Sequence, residues 1–170
     1  MMFHNKSGSL DSYPASNLIS WGVMGLFDQV FDPLPESRSL TPAEALAAIC
    51  LVAIAADGYL SDQEGREMDM LLSRMRLFKS YSSEMVDRMK DGLLQQLQQH
   101  GPSRLVEAAN TALPVELKPT AFALATDLVL ADGNVTPQEQ AFLDDLYRIL
   151  DIPSDLALTI VEVMTIKNRG

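Results

Sequence analysis

Apolar residues recur at helical spacing along most of the chain, and no stretch alternates with a period of two. Thr41-Pro42-Ala43-Glu44 is a helix start. It offers a cap, a proline at the first position and a glutamate at the capping-box spacing. The helix it opens is apolar nearly all round and is expected to run to Ala56, in the centre of a bundle. A second helix is expected from Ser61 to about Phe78, with Met68, Leu71, Leu72 and Met75 on one face and Arg74, Arg76 and Lys79 in its last turn. A third starts near Ser82 or Ser83, carries Val86, Met89, Leu93 and Leu97, and stops at Gly101. Ser103 opens a short fourth one through Ala112. A helix beginning near Pro119 reaches Ala131. Another follows Thr136 with Phe142, Leu143, Leu146 and Leu150 on one face, and Ser154 caps the last. The expected fold is all-α: a single-domain helical bundle of about seven helices.

One pattern occurs twice. Ala56-Asp57-Gly58-Tyr59-Leu60-Ser61-Asp62-Gln63-Glu64 returns as Ala131-Asp132-Gly133-Asn134-Val135-Thr136-Pro137-Gln138-Glu139, offset by 75 residues. The offset holds without a gap to Leu71 and Leu146, so the bundle is an internal pseudo-repeat. Each copy joins a stop signal to a start signal. Gly58 and Gly133 can take positive φ and end a helix. Ser61 and Thr136 can cap the next helix, with Glu64 and Glu139 three residues on. Two copies of one acidic turn could meet near a local two-fold axis.

Asp57 and Asp132 fall at helix C-terminal ends, where an uncompensated carboxylate costs about 0.3–1 kcal/mol. Two readings are open. Asp-Gly is a good turn pair, because Asp tolerates left-handed geometry and bonds its own backbone. Alternatively, a cation neutralises Asp57, Glu64, Asp132 and Glu139 together. Without His or Cys at ligand spacing, only a hard, oxygen-preferring divalent ion such as Ca, Mg or Mn suits that set. The segment resembles the last eight positions of an EF-hand loop. However, the first and third ligand positions hold Ala53 and Ala55 in one copy and Leu128 and Leu130 in the other, so neither copy is a complete EF-hand. The glutamates are also accounted for as capping residues alone.

Before the bundle, residues 1–15 read as a disordered leader. Residues 16–36 are a short apolar helix and its linker. Leu18, Trp21, Leu26, Phe27, Val30 and Phe31 are too apolar to be left in water, and Pro33 and Pro35 end the segment. It is expected to dock over the bundle, or to exchange between the two copies of a homodimer.

Composition narrows the chemistry. The net charge is −10, and no segment is basic, so no nucleic-acid partner is expected. Cys50 is the only cysteine, which excludes an intramolecular disulfide and any CxxC site. Its apolar surroundings predict a buried thiol. The chain has no Ser-His or Cys-His pair, phosphate-binding glycine loop or HExxH, and the expectation is a protein that is not an enzyme. With no signal-peptide pattern and no apolar run long enough to span a bilayer, it is expected in the cytoplasm.

The doubled Ala-Asp-Gly turns with Ser61/Glu64 and Thr136/Glu139, and Met24-Gly25-Leu26-Phe27-Asp28-Gln29-Val30-Phe31 before them, resemble the TerB-like tellurite-resistance family. The likeness spans roughly residues 24–170, with the domain proper at 37–170, and makes Met24 an alternative start. It implies an all-helical domain and a bacterial role in stress response. It also implies metal ligation by Asp57, Glu64, Asp132 and Glu139, and partnership with Ter-type, membrane-associated stress proteins. Pro137 stands where the first copy has Asp62, so the two turns are not equivalent.

Overall fold

The computed structural model describes residues 39–56 and 58–170. Among them are six α-helices and two short 3-10 turns. The leader and the apolar segment 16–31 lie outside the described residues, as does Asp57.

Helix α1 (Pro42–Ala55) forms because its start is triply specified and its interior holds neither Gly nor Pro. The Thr41 hydroxyl accepts the Glu44 N–H, and the Glu44 carboxylate accepts the Thr41 N–H. From Ala45 to Leu51 every residue is fully buried. Only an element covered on all sides can be apolar all round, so α1 is the core of the domain.

Helix α2 (Asp62–Ser73) is amphipathic, burying Met68 and Leu72 and turning Asp62, Gln63 and Arg66 outward. It ends five residues earlier than its sequence pattern predicts. Met75 is extended, and a 3-10 turn (Arg76–Phe78) follows. The break swings Phe78 into the core, where its ring lies 5.4 Å from that of Tyr81. The basic residues Arg74, Arg76 and Lys79 therefore lie beyond the helix rather than in its last turn.

Helix α3 (Ser83–Ala112) joins the expected third and fourth helices into one kinked element. Pro102 cannot donate within the helix and its ring crowds the preceding turn, so the kink has a definite cause. Gly101 absorbs it at φ 84 and ψ 167, a conformation that is essentially restricted to glycine. Both residues are buried. Lys90 ties α3 to α2: its ammonium pairs with Asp69 at 2.5 Å and with Asp87 at 3.1 Å. Burial disfavours that charge, but the two carboxylates outweigh it and hold the ammonium above the ordinary lysine range.

A 3-10 turn (Val115–Leu117) leads into α4 (Lys118–Val129), followed by α5 (Pro137–Ile149) and α6 (Ser154–Lys167). Helix α5 buries Leu143, Leu146 and Tyr147. Asp144, a residue type that ordinarily faces solvent, is only 6% exposed, because it shares the inward side of α5 with Leu143 and Tyr147. Ser154 does not cap α6. Pro153 holds the cap position without a side-chain bond, and Asp155 Oδ1 accepts the Leu156 N–H instead.

The packing follows the duplication. Helix α1 makes its most extensive contact with α3 and its next with α4, while α4 packs on α6. The first helix of each half thus meets the third helix of the same half, and α1 against α4 joins the halves. None of the helices in the described residues is long and apolar enough to cross a membrane.

Candidate functional site

The two acidic turns are built alike. After α1, Gly58 takes φ 82, and its N–H reaches the Ala55 carbonyl at 2.8 Å. After α4, Gly133 takes φ 79, and its N–H reaches the Leu130 carbonyl at 3.1 Å. Left-handed backbone at these points explains the glycines, since an L-residue there is strained. Each chain then enters its next helix through a complete capping box. The Glu64 N–H donates to Ser61 Oγ at 3.2 Å, and Glu64 Oε2 accepts from the Ser61 N–H at 2.9 Å and its hydroxyl at 2.6 Å. The Glu139 N–H donates to Thr136 Oγ1 at 3.2 Å, and Glu139 Oε2 accepts the Thr136 N–H at 2.7 Å. Leu60 and Val135, the residues before the caps, both pack partly buried against the core.

The surroundings differ. The Gly58 carbonyl accepts the Gln98 side-chain amide of α3 at 2.9 Å, and a Cβ at Gly58 would lie 3.5 Å from Gln98 Cγ. Among the described residues, a Cβ at Gly133 would meet nothing within 4 Å. Asp132 is exposed, and its Oδ1 accepts the Asn134 N–H at 2.9 Å, the local turn bond that an Asp-Gly pair favours.

Of the four predicted metal ligands, Glu64 and Glu139 thus lie in the first turns of α2 and α5, each engaged with its own cap. Asp132 lies in the loop after α4, engaged with its own backbone. Asp57 is outside the described residues. Among the described residues, no three His, Cys, Asp or Glu side chains group so as to hold an ion, so Glu64, Asp132 and Glu139 do not form a site by themselves. The predicted chemistry of Cys50 is borne out: it is fully buried, and burial pushes its thiol up to about 12.

Sequence reasoning missed two contacts. Gln98 lies forty residues from Gly58. Asp127 accepts from Lys167 Nζ at 2.8 and 3.0 Å and from the Asn168 amide at 2.9 Å, pinning the end of α6 to α4. At the repeat offset Asp127 corresponds to buried Val52, so the duplication hides rather than announces it.

Fold and turns together define an all-helical domain of two related halves, each with a Gly-ended helix passing through an acidic turn into a capped one. The family described as "Tellurite resistance protein TerB" matches residues 43–157, and the chain belongs to that family. Comparison with curated proteins and with solved structures gave no match.

Proposed function

We propose that this domain is a non-enzymatic binding module of a stress response of the tellurite-resistance type, in which the acidic turns serve as rigid helix junctions. The observation that carries this reading is the use of the acidic oxygens. Glu64 Oε2, Glu139 Oε2 and Asp132 Oδ1 each accept hydrogen bonds from their own junction. Cys50 supports the non-enzymatic part: a fully buried thiol with so high a pKa offers no thiolate to reduce an oxyanion. The partner in this reading is another protein of the same stress system. The surface that suits it is the outer side of α6, where Leu156, Val163 and Ile166 are exposed at helical spacing.

A second reading keeps the cation. The sequence puts an acidic residue just after the first helix of each half, close to the negative end of its dipole, and an ion shared by Asp57 and Asp132 would compensate that. Isothermal titration with Ca, Mg, Mn and Zn decides between the two. The junction reading expects no saturable heat in the wild type. Saturable heat that vanishes in Asp57→Asn/Asp132→Asn would overturn it in favour of a metal-binding module.

A further inference from the structure

A groove of about 300 Å³ runs between the start of α1 and the middle of α3, bordered by Leu40, Glu44, Arg88, Met89, Gly92 and Leu93. Its wall contains an anomaly. Gly92 lies inside a long helix, where glycine is a poor choice. Neither of the usual reasons applies: it is not among the positive-φ glycines, and a Cβ on it would meet nothing within 4 Å among the described residues. Nothing among the described residues requires a glycine here, and something approaching closely from beyond them would. Met89 beside it is only partly buried against the core, although it faces the same groove.

We propose that this groove is the seat of the chain's own apolar segment, residues 16–31. Three observations converge on that occupant. The segment carries Trp21, Leu26, Phe27, Val30 and Phe31, a set that must be covered. It is tethered beside the groove, because Leu40, on the groove's rim, follows it after only residues 32–39. Eight residues span at most about 26–29 Å, so the segment stays at high local concentration around this end of the bundle. Pro33 and Pro35 keep the linker from continuing the helix, which lets the segment turn back onto α3. The missing side chain at Gly92 then lets its backbone or a large aromatic ring come close to the α3 backbone. The outer row of α6 is the competing seat, but it is the groove that Leu40, where the tether ends, borders.

Trp21 is the only tryptophan of the chain, so its fluorescence reports the segment directly. The test compares emission maximum and acrylamide quenching in the full-length protein and in Gly92→Gln. A Cβ here meets no described neighbour, the longer side chain points into the proposed seat, and the substitution improves helix propensity. Met89→Gln on the same wall is a second probe, and circular dichroism verifies that both variants fold. Docking expects a blue-shifted, protected Trp21 in the wild type at every protein concentration. It expects a red shift and several-fold greater quenching in both variants. The proposal is overturned if wild-type Trp21 is as accessible as free tryptophan, or if its protection disappears on dilution, which would place the segment on a second copy. Protection that survives both groove substitutions but is lost in Val163→Glu/Ile166→Glu would place it on α6 and overturn it equally.

Discussion

Replacing Glu64 and Glu139 with Gln and with Ala separates a capping role from a ligand role. At the first junction Oε2 of Glu64 accepts two hydrogen bonds from Ser61, in a half-buried setting. At the second, Glu139 accepts one bond from the exposed Thr136. Gln keeps an oxygen at the same reach and gives up only the charge. Its cost is therefore the attraction of a carboxylate to a helix N-terminus, about 0.3–1 kcal/mol. Ala removes the acceptor. One exposed capping bond is worth about 0.5–1 kcal/mol, and the two bonds of Glu64 about 1–2 kcal/mol. The expected order of destabilisation is Glu64→Ala, then Glu139→Ala, then the two Gln variants close to wild type. Guanidinium denaturation followed by circular dichroism measures this, with the m-value checked for constancy. Repeating the series with EDTA and then with excess Ca or Mn adds the second arm. Gln variants as costly as the Ala variants would refute the capping argument. So would a wild-type midpoint that rises with added cation while those of the Gln variants stay fixed.

Cys50 carries a pH signature. Burial raises its folded pKa from 9.0 to about 12, so the unfolded chain ionises first as pH rises. Stability is intact below about pH 9 and then falls by about 1.4 kcal/mol per pH unit toward pH 12. Comparing alkaline unfolding of wild type and Cys50→Ala should show a shallower decline in the variant, and parallel declines would contradict the assignment. The kink in α3 makes a second demand. Gly101→Ala forces an L-residue into a glycine-only region and should cost about 1–3 kcal/mol. Gly133→Ala, strained only by its left-handed φ with open space around it, should cost about 1–2 kcal/mol. Urea midpoints measure both, and a neutral Gly101→Ala would show that the kink is not imposed by the backbone.

The features legible in the sequence are those whose cause lies within a few residues. Thr41/Glu44, Ser61/Glu64 and Thr136/Glu139 all form their boxes, because donor and acceptor are three residues apart and the geometry is local. The left-handed glycines and the all-apolar α1 were readable for the same reason. Long-range contacts were not. Nothing near Gly58 announces Gln98, and nothing near Asp127 announces Lys167. The type of Asp144 suits a solvated face, and the tertiary placement of α5 overrides that preference. No Gly or Pro marks the end of α2, so the local pattern runs on past it. The break answers to Phe78, whose burial depends on packing that a local pattern does not encode.

The duplication repeats local instructions and not surroundings, and the difference comes down to the length of the third helix in each half. Helix α3 has 30 residues and α6 has 14. At 1.5 Å per residue these are about 45 Å and 21 Å, before the kink is allowed for. Helix α3 extends far enough along α1 for Gln98 to reach the carbonyl of Gly58 and cover the first junction. Helix α6 instead ends with Lys167 pinned to Asp127, two residues short of the end of α4. The second junction therefore keeps Gly133 open on its outer side, held by the Asp132 bond to Asn134 within its own loop. A ligand reading the turns by shape would meet two different surfaces. The first presents Gln98 over its glycine, and the second presents bare backbone. Any affinity that both halves shared equally would have to come from the capping residues, whose geometry the two copies have in common.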